Sequence, residues 1–490
     1  MRQLAFLALA LLALTDPWRI REVQAQPPQQ PTSAPAPVDV VAALETAIGD
    51  AIARAEPSVV AIARERGGRS EVTTAVRGRN EPLPPPRDPQ LGLIFRGNFE
   101  DFDQPDYVAT DFGSGVVIGD RGEILTTFHV VQGASRLVVR AWGGKVFDAE
   151  IIAADPRSDL AVIIPRDDPR RSRPSLKPIT LGDGTRLRKG MFLLALGNPF
   201  NAGRDGKPSA SWGILANLAR RIDSSQVEAA VRQLRHFPTM LQLDAKLNLG
   251  MSGGAVINLK GDMVGLTTNA ANVGGFDAQA GYALPIDALT RRAIEVLRQG
   301  KEVEYGFLGV VLSPDNTNQI QGVQSGSPAG EGGLMPMDEV ISIGGLPVND
   351  SDSLVMSVNA FTPGQPIVVR VIRDGVTIEK TIMLSKLPIK GEIIATNRPA
   401  PWRGLRVDFV SALPGVNGPE ILGAMARGGV LVVEVQPGSA ADDAGLKSGQ
   451  IVVKVEGRPI KTPGEFAAAV QDIKGPVHLT TEGDREVSVR

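Results

Sequence analysis

The stretch GSPAGEGGLMPMDEVISIGGLPV at residues 326–348 returns as GSAADDAGLKSGQIVVKVEGRPI at 438–460, with the same offset of 112 at both ends. A repeat this long between separated segments marks one module used twice, not a solenoid. Each copy reads as a strand, a Gly-Ser turn, a short helix, a strand, a G-x-P turn, a longer helix (SDSLVMSVNAF and TPGEFAAAVQDI) and closing strands. The C-terminal third is thus expected to hold two small α+β domains, at 301–388 and 400–490, joined by a linker at 389–399.

The residues before the repeat follow a different pattern. GSGVVIGDRGEILTT, RLVVRAWGGKVFDAEIIAAD, DLAVIIP, GMFLLALGNPF, SWGILANLA, GGAVINLKGDMVGLTT and GYALPI are short apolar or alternating runs bounded by turn residues. Strands spaced this closely predict a β-barrel or sandwich, so the chain is expected to be mainly β. SVVAIARE at 58–65 reads as its first strand, 40–55 as a short helix before it, and 286–299 as a closing helix. Residues 67–111 are polar and Pro-punctuated and read as a long loop.

The N-terminus, MRQLAFLALALLALTDPWRIREVQAQ, places Arg2 before an apolar run at 4–14. That run is too short to span a bilayer and matches the apolar segment of a signal peptide. Residues 1–25 are expected to be that signal, with an uncleaved anchor as the alternative. A Pro-rich linker at 26–40 would lead into the barrel domain at 41–300. The expected location is periplasmic or secreted.

Composition removes several chemistries. There is no cysteine, which excludes disulfides, thiol catalysis and cysteine metal sites. The three histidines, His129, His236 and His478, lie far apart and in no metal-ligand spacing. No metal or cofactor is expected. A net charge of −2 argues against a nucleic-acid partner.

One stretch, LNLGMSGGAVINLKG at 247–261, frames Ser252 with glycines. Such a loop can be a flexible turn, or it can set a hydroxyl beside outward-pointing backbone donors. His129, in GEILTTFHVVQG, follows a strand, and a histidine base needs a carboxylate to fix its tautomer. Asp159, in DPRSDLAVII, opens an apolar strand. The chain order His, Asp, Ser is that of the chymotrypsin-type barrel.

With GSGVVI, ILTTFHVV, SDLAVI, LALGNPF, WGILANLAR, LQLDAKLNLGMSGGAVINLKGDMVGLTT and GYALPI, the chain resembles the HtrA (DegP-like) family of exported serine proteases. The resemblance implies a chymotrypsin-like double β-barrel followed by two α+β PDZ domains. It implies that Ser252 attacks the scissile carbonyl, that His129 relays the proton and that Asp159 orients His129. The oxyanion would be bound by the N–H groups of Gly250, Ser252 and Met251. Thr268, Asn269, Ala270 and Tyr282 would line the substrate cleft, with plain barrel packing as the alternative. Met251 stands where the family usually has Asn, and the charged segment 221–239, with His236, falls where the family has a regulatory loop. His478 reads as an ordinary strand residue.

PDZ domains bind an extended C-terminal peptide as an added strand, beside a loop with an apolar-Gly-apolar core. Phe307, Leu308, Gly309 and Val310 would form that loop in the first copy. In the second, Arg403 replaces the apolar residue before Gly404, and 17 extra residues follow. The expected activity is endopeptidase cleavage of unfolded or damaged proteins, with C-terminal peptides held at the PDZ domains. The alternative is an idle scaffold or chaperone that binds peptides. A homo-oligomer, a trimer or a multiple of one, is implied by the resemblance.

Overall fold

The computed structural model of the chain describes residues 37–66, 111–170, 172–199, 205–220, 240–268, 281–387, 394–412 and 419–490. The expected signal, most of the Pro-rich stretch, the loop up to residue 110, the segment 221–239 with His236, and Asn269 and Ala270 lie outside the described residues. The chain divides into two units, Met1–Thr46 and Ala47–Arg490. In the first, residues 37–46 belong to the helix Pro37–Ala55, and the Thr46 hydroxyl donates to the Ala42 carbonyl at 2.8 Å.

In the second unit, runs rich in Val, Ile and Leu form β1 (Val59–Arg66), β2 (Asp111–Val117), β3 (Ile124–Thr127), β4 (Ala134–Ala141), β5 (Lys145–Asp155) and β6 (Leu160–Pro165). They pair antiparallel in the order β5-β4-β1-β2-β3-β6, and β6 returns to β5 to close a barrel. A second closed barrel follows from β7 (Phe192–Gly197), β8 (Ser209–Arg220), β9 (Met240–Leu243), β10 (Ala255–Ile257), β11 (Met263–Thr268) and β12 (Gly281–Pro285). Each barrel has its own interior, Ile62, Val117, Ile124 and Ile163 in the first and Leu193, Leu215, Leu241 and Val256 in the second. A third core lies between them, where Val116, Leu125, Leu160 and Val162 meet Leu194, Leu196, Ile257 and Leu266. In β6, Ala161 and Ile163 fill the barrel while Leu160 and Val162 face the other barrel. Neither face of that strand meets water, which is why DLAVIIP is apolar throughout.

The helix Ala288–Arg298 closes the barrel domain. Asp287 caps it by accepting the Thr290 N–H at 2.8 Å, and Leu289, Ala293, Ile294 and Leu297 enter the inter-barrel core.

The two repeat copies fold around separate cores. Leu308, Ile320, Val340, Ile343, Val369 and Ile382 lie in the first. Leu405, Val430, Val432, Val455, Phe466 and Leu479 lie in the second. The extra residues of the second copy include the helix Pro419–Arg427, whose Ala424 and Met425 pack with Leu431, Val433, Ile451 and Val453. Alternate residues of the same strands, Val430, Val432 and Val452, face the main core. The insertion therefore covers the second face of the sheet.

The stretch expected as a linker is part of the first barrel. Ile394 and Ala395 pair antiparallel with Ala154 and Ala153 of β5. The reason is an unequal strand length. β4 covers β5 only from Lys145 to Ala149, leaving one edge open beyond that point. An open edge of unpaired N–H and C=O groups is a ready template for another segment.

Candidate active site

Thr127 at the end of β3 pairs with Leu160 at the start of β6. That register brings His129 and Asp159 to the same end of two adjacent strands, although they are 30 residues apart. Asp159 Oδ2 lies 2.8 Å from His129 Nδ1, and its Oδ1 accepts the His129 main-chain N–H at 3.0 Å. The Asp159 carbonyl accepts the Phe128 N–H at 2.9 Å. Asp159 has φ of 55°, a left-handed conformation that Asp tolerates better than most residues. The carboxylate at Nδ1 fixes the proton there and leaves Nε2 as the basic nitrogen. Burial pushes the His129 pKa down and Arg64 adds to that, but the charge and hydrogen bond of Asp159 outweigh both and leave it raised.

Ser252 sits before β10, on the second barrel, and is 8% exposed. Its carbonyl accepts the Ser114 N–H of β2 at 2.8 Å, which pins the loop across the barrel seam. Gly250 has φ of 93°, and a Cβ there would lie 2.5 Å from the Asn198 carbonyl oxygen. Gly253 has φ of 82°, and its Cβ would lie 2.2 Å from the Ser114 carbonyl oxygen. Only glycine meets both conditions, so GMSGG is a shaped loop rather than a flexible turn. The Ser114 hydroxyl donates to the Gly250 carbonyl at 2.7 Å and accepts the Asn198 N–H at 2.8 Å. Thr267 Oγ1 donates to the Met251 carbonyl and accepts the Gly254 N–H at 2.8 Å.

The expected backbone donors separate into two kinds. Among the described residues, the N–H groups of Gly250 and Ser252 donate to no acceptor. The Met251 N–H, by contrast, donates to the Asn248 carbonyl at 3.0 Å. Its side chain, 2% exposed, turns inward instead. His129 Nε2 lies 3.4 Å from Thr127 Oγ1 and makes no hydrogen bond to Ser252 Oγ. Such bonds are often long in enzymes without substrate and tighten on binding.

Two expected cleft residues have other neighbours. Thr268 is 3% exposed and directs its hydroxyl at Asp159 Oδ2, 3.4 Å away. Tyr282, opposite Thr268 in the β11–β12 register, packs on the inter-barrel core.

In the first PDZ copy, Leu308 is buried, and its carbonyl and that of Gly309 accept the N–H groups of Ala329 (2.8 Å) and Gln324 (3.0 Å). Among the described residues, the N–H groups of Leu308 and Gly309 donate to no acceptor. Phe307 and Val310 flank them, on the strands Gly306–Phe307 and Val310–Leu312. In the second copy the Arg403 guanidinium donates to the carbonyls of Val489 (2.7 Å), Ile473 (3.0 Å) and Gly475 (2.7 Å). The odd arginine is a clamp on the C-terminal strand. His478 is an exposed strand residue.

Sequence reasoning missed Ser114, Arg64 and the hydroxyl role of Thr268. Arg64 Nη1 donates to the carbonyls of His129 (2.8 Å) and Gln132 (2.9 Å). A serine between two glycines in GSG, at the head of a buried strand, was the available signal for Ser114. Arg64 offered only a charge at the end of an apolar strand.

Residues 113–266 match the trypsin-like peptidase domain, and residues 306–384 and 431–482 each match a PDZ domain. The chain is 28% identical over 395 residues to a probable periplasmic serine endoprotease DegP-like of Chlamydia trachomatis, covering 76% of this chain and 72% of that protein. It is 29% identical over 385 residues to the protein of the same description from Ectopseudomonas mendocina, covering 74% and 75%. A solved structure of the HtrA-type protease AlgW with a tripeptide has a similar fold, with a TM-score of 0.50 and 24% identity over 70% of this chain and 98% of that one. The double barrel and these matches define a serine-type endopeptidase. Within that class, the trypsin-like peptidase domain, the two PDZ domains and the DegP-like relatives together support the HtrA family, in its form with two PDZ domains.

Proposed function

We propose that the chain is an exported endopeptidase that cleaves unfolded or damaged proteins through Ser252, His129 and Asp159. Ser252 Oγ attacks the scissile carbonyl while His129 Nε2 takes its proton and returns it to the leaving amine. Asp159 holds the imidazole in the tautomer that allows this and stabilises its charged form. The developing oxyanion is received by the N–H groups of Gly250 and Ser252; one such donor is typically worth about 10²–10³ in rate. The observation that carries this reading is the 2.8 Å contact between His129 Nδ1 and Asp159 Oδ2, at the barrel seam that also holds the Ser252 loop.

The Leu308 and Gly309 amides support capture of a peptide carboxylate at the first PDZ domain, with the peptide adding to the strand Val310–Leu312. The family's domain plan supports boundaries near 41–300, 301–388 and 400–490. The periplasmic descriptions of the relatives support export through the N-terminal segment. Exposed Met191, Phe192, Trp212 and Ile214 support self-association.

The missing bond between Ser252 and His129 favours a second reading, a peptide-binding scaffold whose serine is idle. Degradation of casein by the mature chain and by Ser252→Ala, with covalent labelling by a serine-directed phosphonate, separates the two. Cleavage and labelling lost only in the variant support the protease. Casein binding without either, even with C-terminal peptides added, supports the scaffold.

A further inference from the structure

Asp159 is the last residue of a turn, and that turn is gripped from the PDZ side. Asp155, at the end of β5, accepts Arg157 Nε on Oδ1 at 2.9 Å. Its Oδ2 accepts the Ser158 hydroxyl at 2.8 Å and the Tyr305 hydroxyl at 2.7 Å. Arg157 also donates to the Val303 carbonyl, lies 3.7 Å from Glu302 Oε1, and stacks its guanidinium over the Tyr305 ring at 4.7 Å. Exposure is 2% at Asp155, 5% at Arg157, and 0% at Ser158 and Tyr305. Residues 302–305 form a connector between the helix Ala288–Arg298 and the first strand of the first PDZ domain, Gly306–Phe307.

The cluster continues. Glu302 Oε1 lies 3.0 Å from Lys386 Nζ, at the end of the first PDZ domain. Lys386 is 1% exposed and also meets Glu304 Oε1 at 3.1 Å and Asp408 Oδ2 of the second PDZ domain at 2.7 Å. One buried ammonium thus joins both PDZ domains to the connector. Burial opposes its charge, but the three carboxylates outweigh burial and raise its pKa.

Two facts give this cluster a purpose beyond cohesion. Asp159 holds a left-handed backbone with φ of 55°. A non-glycine residue in that region carries backbone strain and persists only where the surroundings over-determine it. The groups next to it in sequence, Arg157 and Ser158, are fixed by Asp155 and by the connector. We propose that Asp155 and Arg157 are positioning residues for Asp159, and that Lys386 makes the set of that turn depend on how the two PDZ domains dock on the connector. The proposal rests on the reading of His129, Asp159 and Ser252 as the working triad.

The test uses the full chain. Arg157→Lys keeps the charge but loses the fork that spans Asp155 and the Val303 carbonyl. It should lower kcat on a short peptide, and the rate of phosphonate labelling at Ser252, by on the order of 10²-fold with KM unchanged. Lys386→Met, and the milder Asp408→Asn, should each lower both rates roughly 2- to 30-fold. The double variant Arg157→Lys with Lys386→Met should be no slower than Arg157→Lys alone, because both act through one turn. The relay is overturned if the Lys386 and Asp408 variants melt earlier but label at the parental rate, or if the two effects simply multiply. A parent chain that is never labelled overturns the triad reading itself, and the relay with it; equal labelling of parent and variants overturns only the relay.

Discussion

Asp159 holds His129 at two points, Oδ2 at 2.8 Å from Nδ1 and Oδ1 on the main-chain N–H at 3.0 Å. One contact selects the tautomer and the other fixes where the ring begins. The His129 pKa is raised because Asp159 outweighs burial and Arg64. Catalysis needs the neutral ring, so kcat/KM should fall with acid through an apparent pKa above the ordinary value of about 6.5. Stability runs the other way. The pair's contribution is complete below the unfolded value and lost as pH rises through the folded one. Asp159→Asn should cut kcat by about 10⁴ and move the remaining acid limb downward. A pH–rate profile of both proteins checks this, and an unmoved limb would assign it to another group.

Ser114 is the hidden support of the serine loop. Its hydroxyl bridges the Gly250 carbonyl and the Asn198 N–H, both in buried surroundings. Ser114→Ala removes both of these buried bonds, at a cost of about 1–3 kcal/mol. With the Gly250 carbonyl no longer held, the loop that carries the Gly250 and Ser252 N–H groups loses an anchor, and kcat should fall by up to about 10² with little change in KM. Urea melts and peptide kinetics on the same preparation check both parts. A loss of stability with full kcat would mean that Ser114 only packs.

Arg403 occupies the position that Leu308 fills in the first PDZ domain. Leu308 belongs to an apolar core, whereas Arg403 is bound to three carbonyls and stacks on Trp402 at 4.8 Å. Arg403→Leu should therefore destabilise the second domain by about 1–3 kcal/mol, although it restores the apolar type. Thermal melts of the full chain would show an earlier first transition, with Ser252 labelling retained. Unchanged melting would make the clamp decorative.

Legibility in the sequence followed the range of the interactions. The repeat exposed both PDZ domains because 23 residues return at a constant offset, and strand periodicity exposed the barrels. The sequence singles out His129, Asp159 and Ser252 because each lies in a distinctive local run. The contact of the Thr268 hydroxyl with Asp159 is not legible, because the sequence marks the strand but not which neighbour a hydroxyl on it meets. The strand at 394–395 reads as linker in the sequence because its pairing depends on an edge of β5, more than 200 residues earlier, that β4 leaves uncovered. Arg157, Tyr305 and Lys386 looked like ordinary residues; only the docking of connector and PDZ domains makes them neighbours.

The exposed face of β7 and β8 bears on the proposed self-association. Phe192 and Trp212 stack with centroids 5.6 Å apart, and are 38% and 56% exposed. Met191 and Ile214, the latter paired with Phe192 across the strands, extend the patch. Large aromatics left in water at adjacent positions cost solvation free energy that a second copy of the chain would recover. Phe192→Glu with Trp212→Glu places like charges in that contact and should raise the dissociation constant by about 30-fold or more. Light scattering across a dilution series would then show lower mass for the variant, while its melting temperature stays near that of the parent. Equal mass at every concentration would exclude self-association through this face.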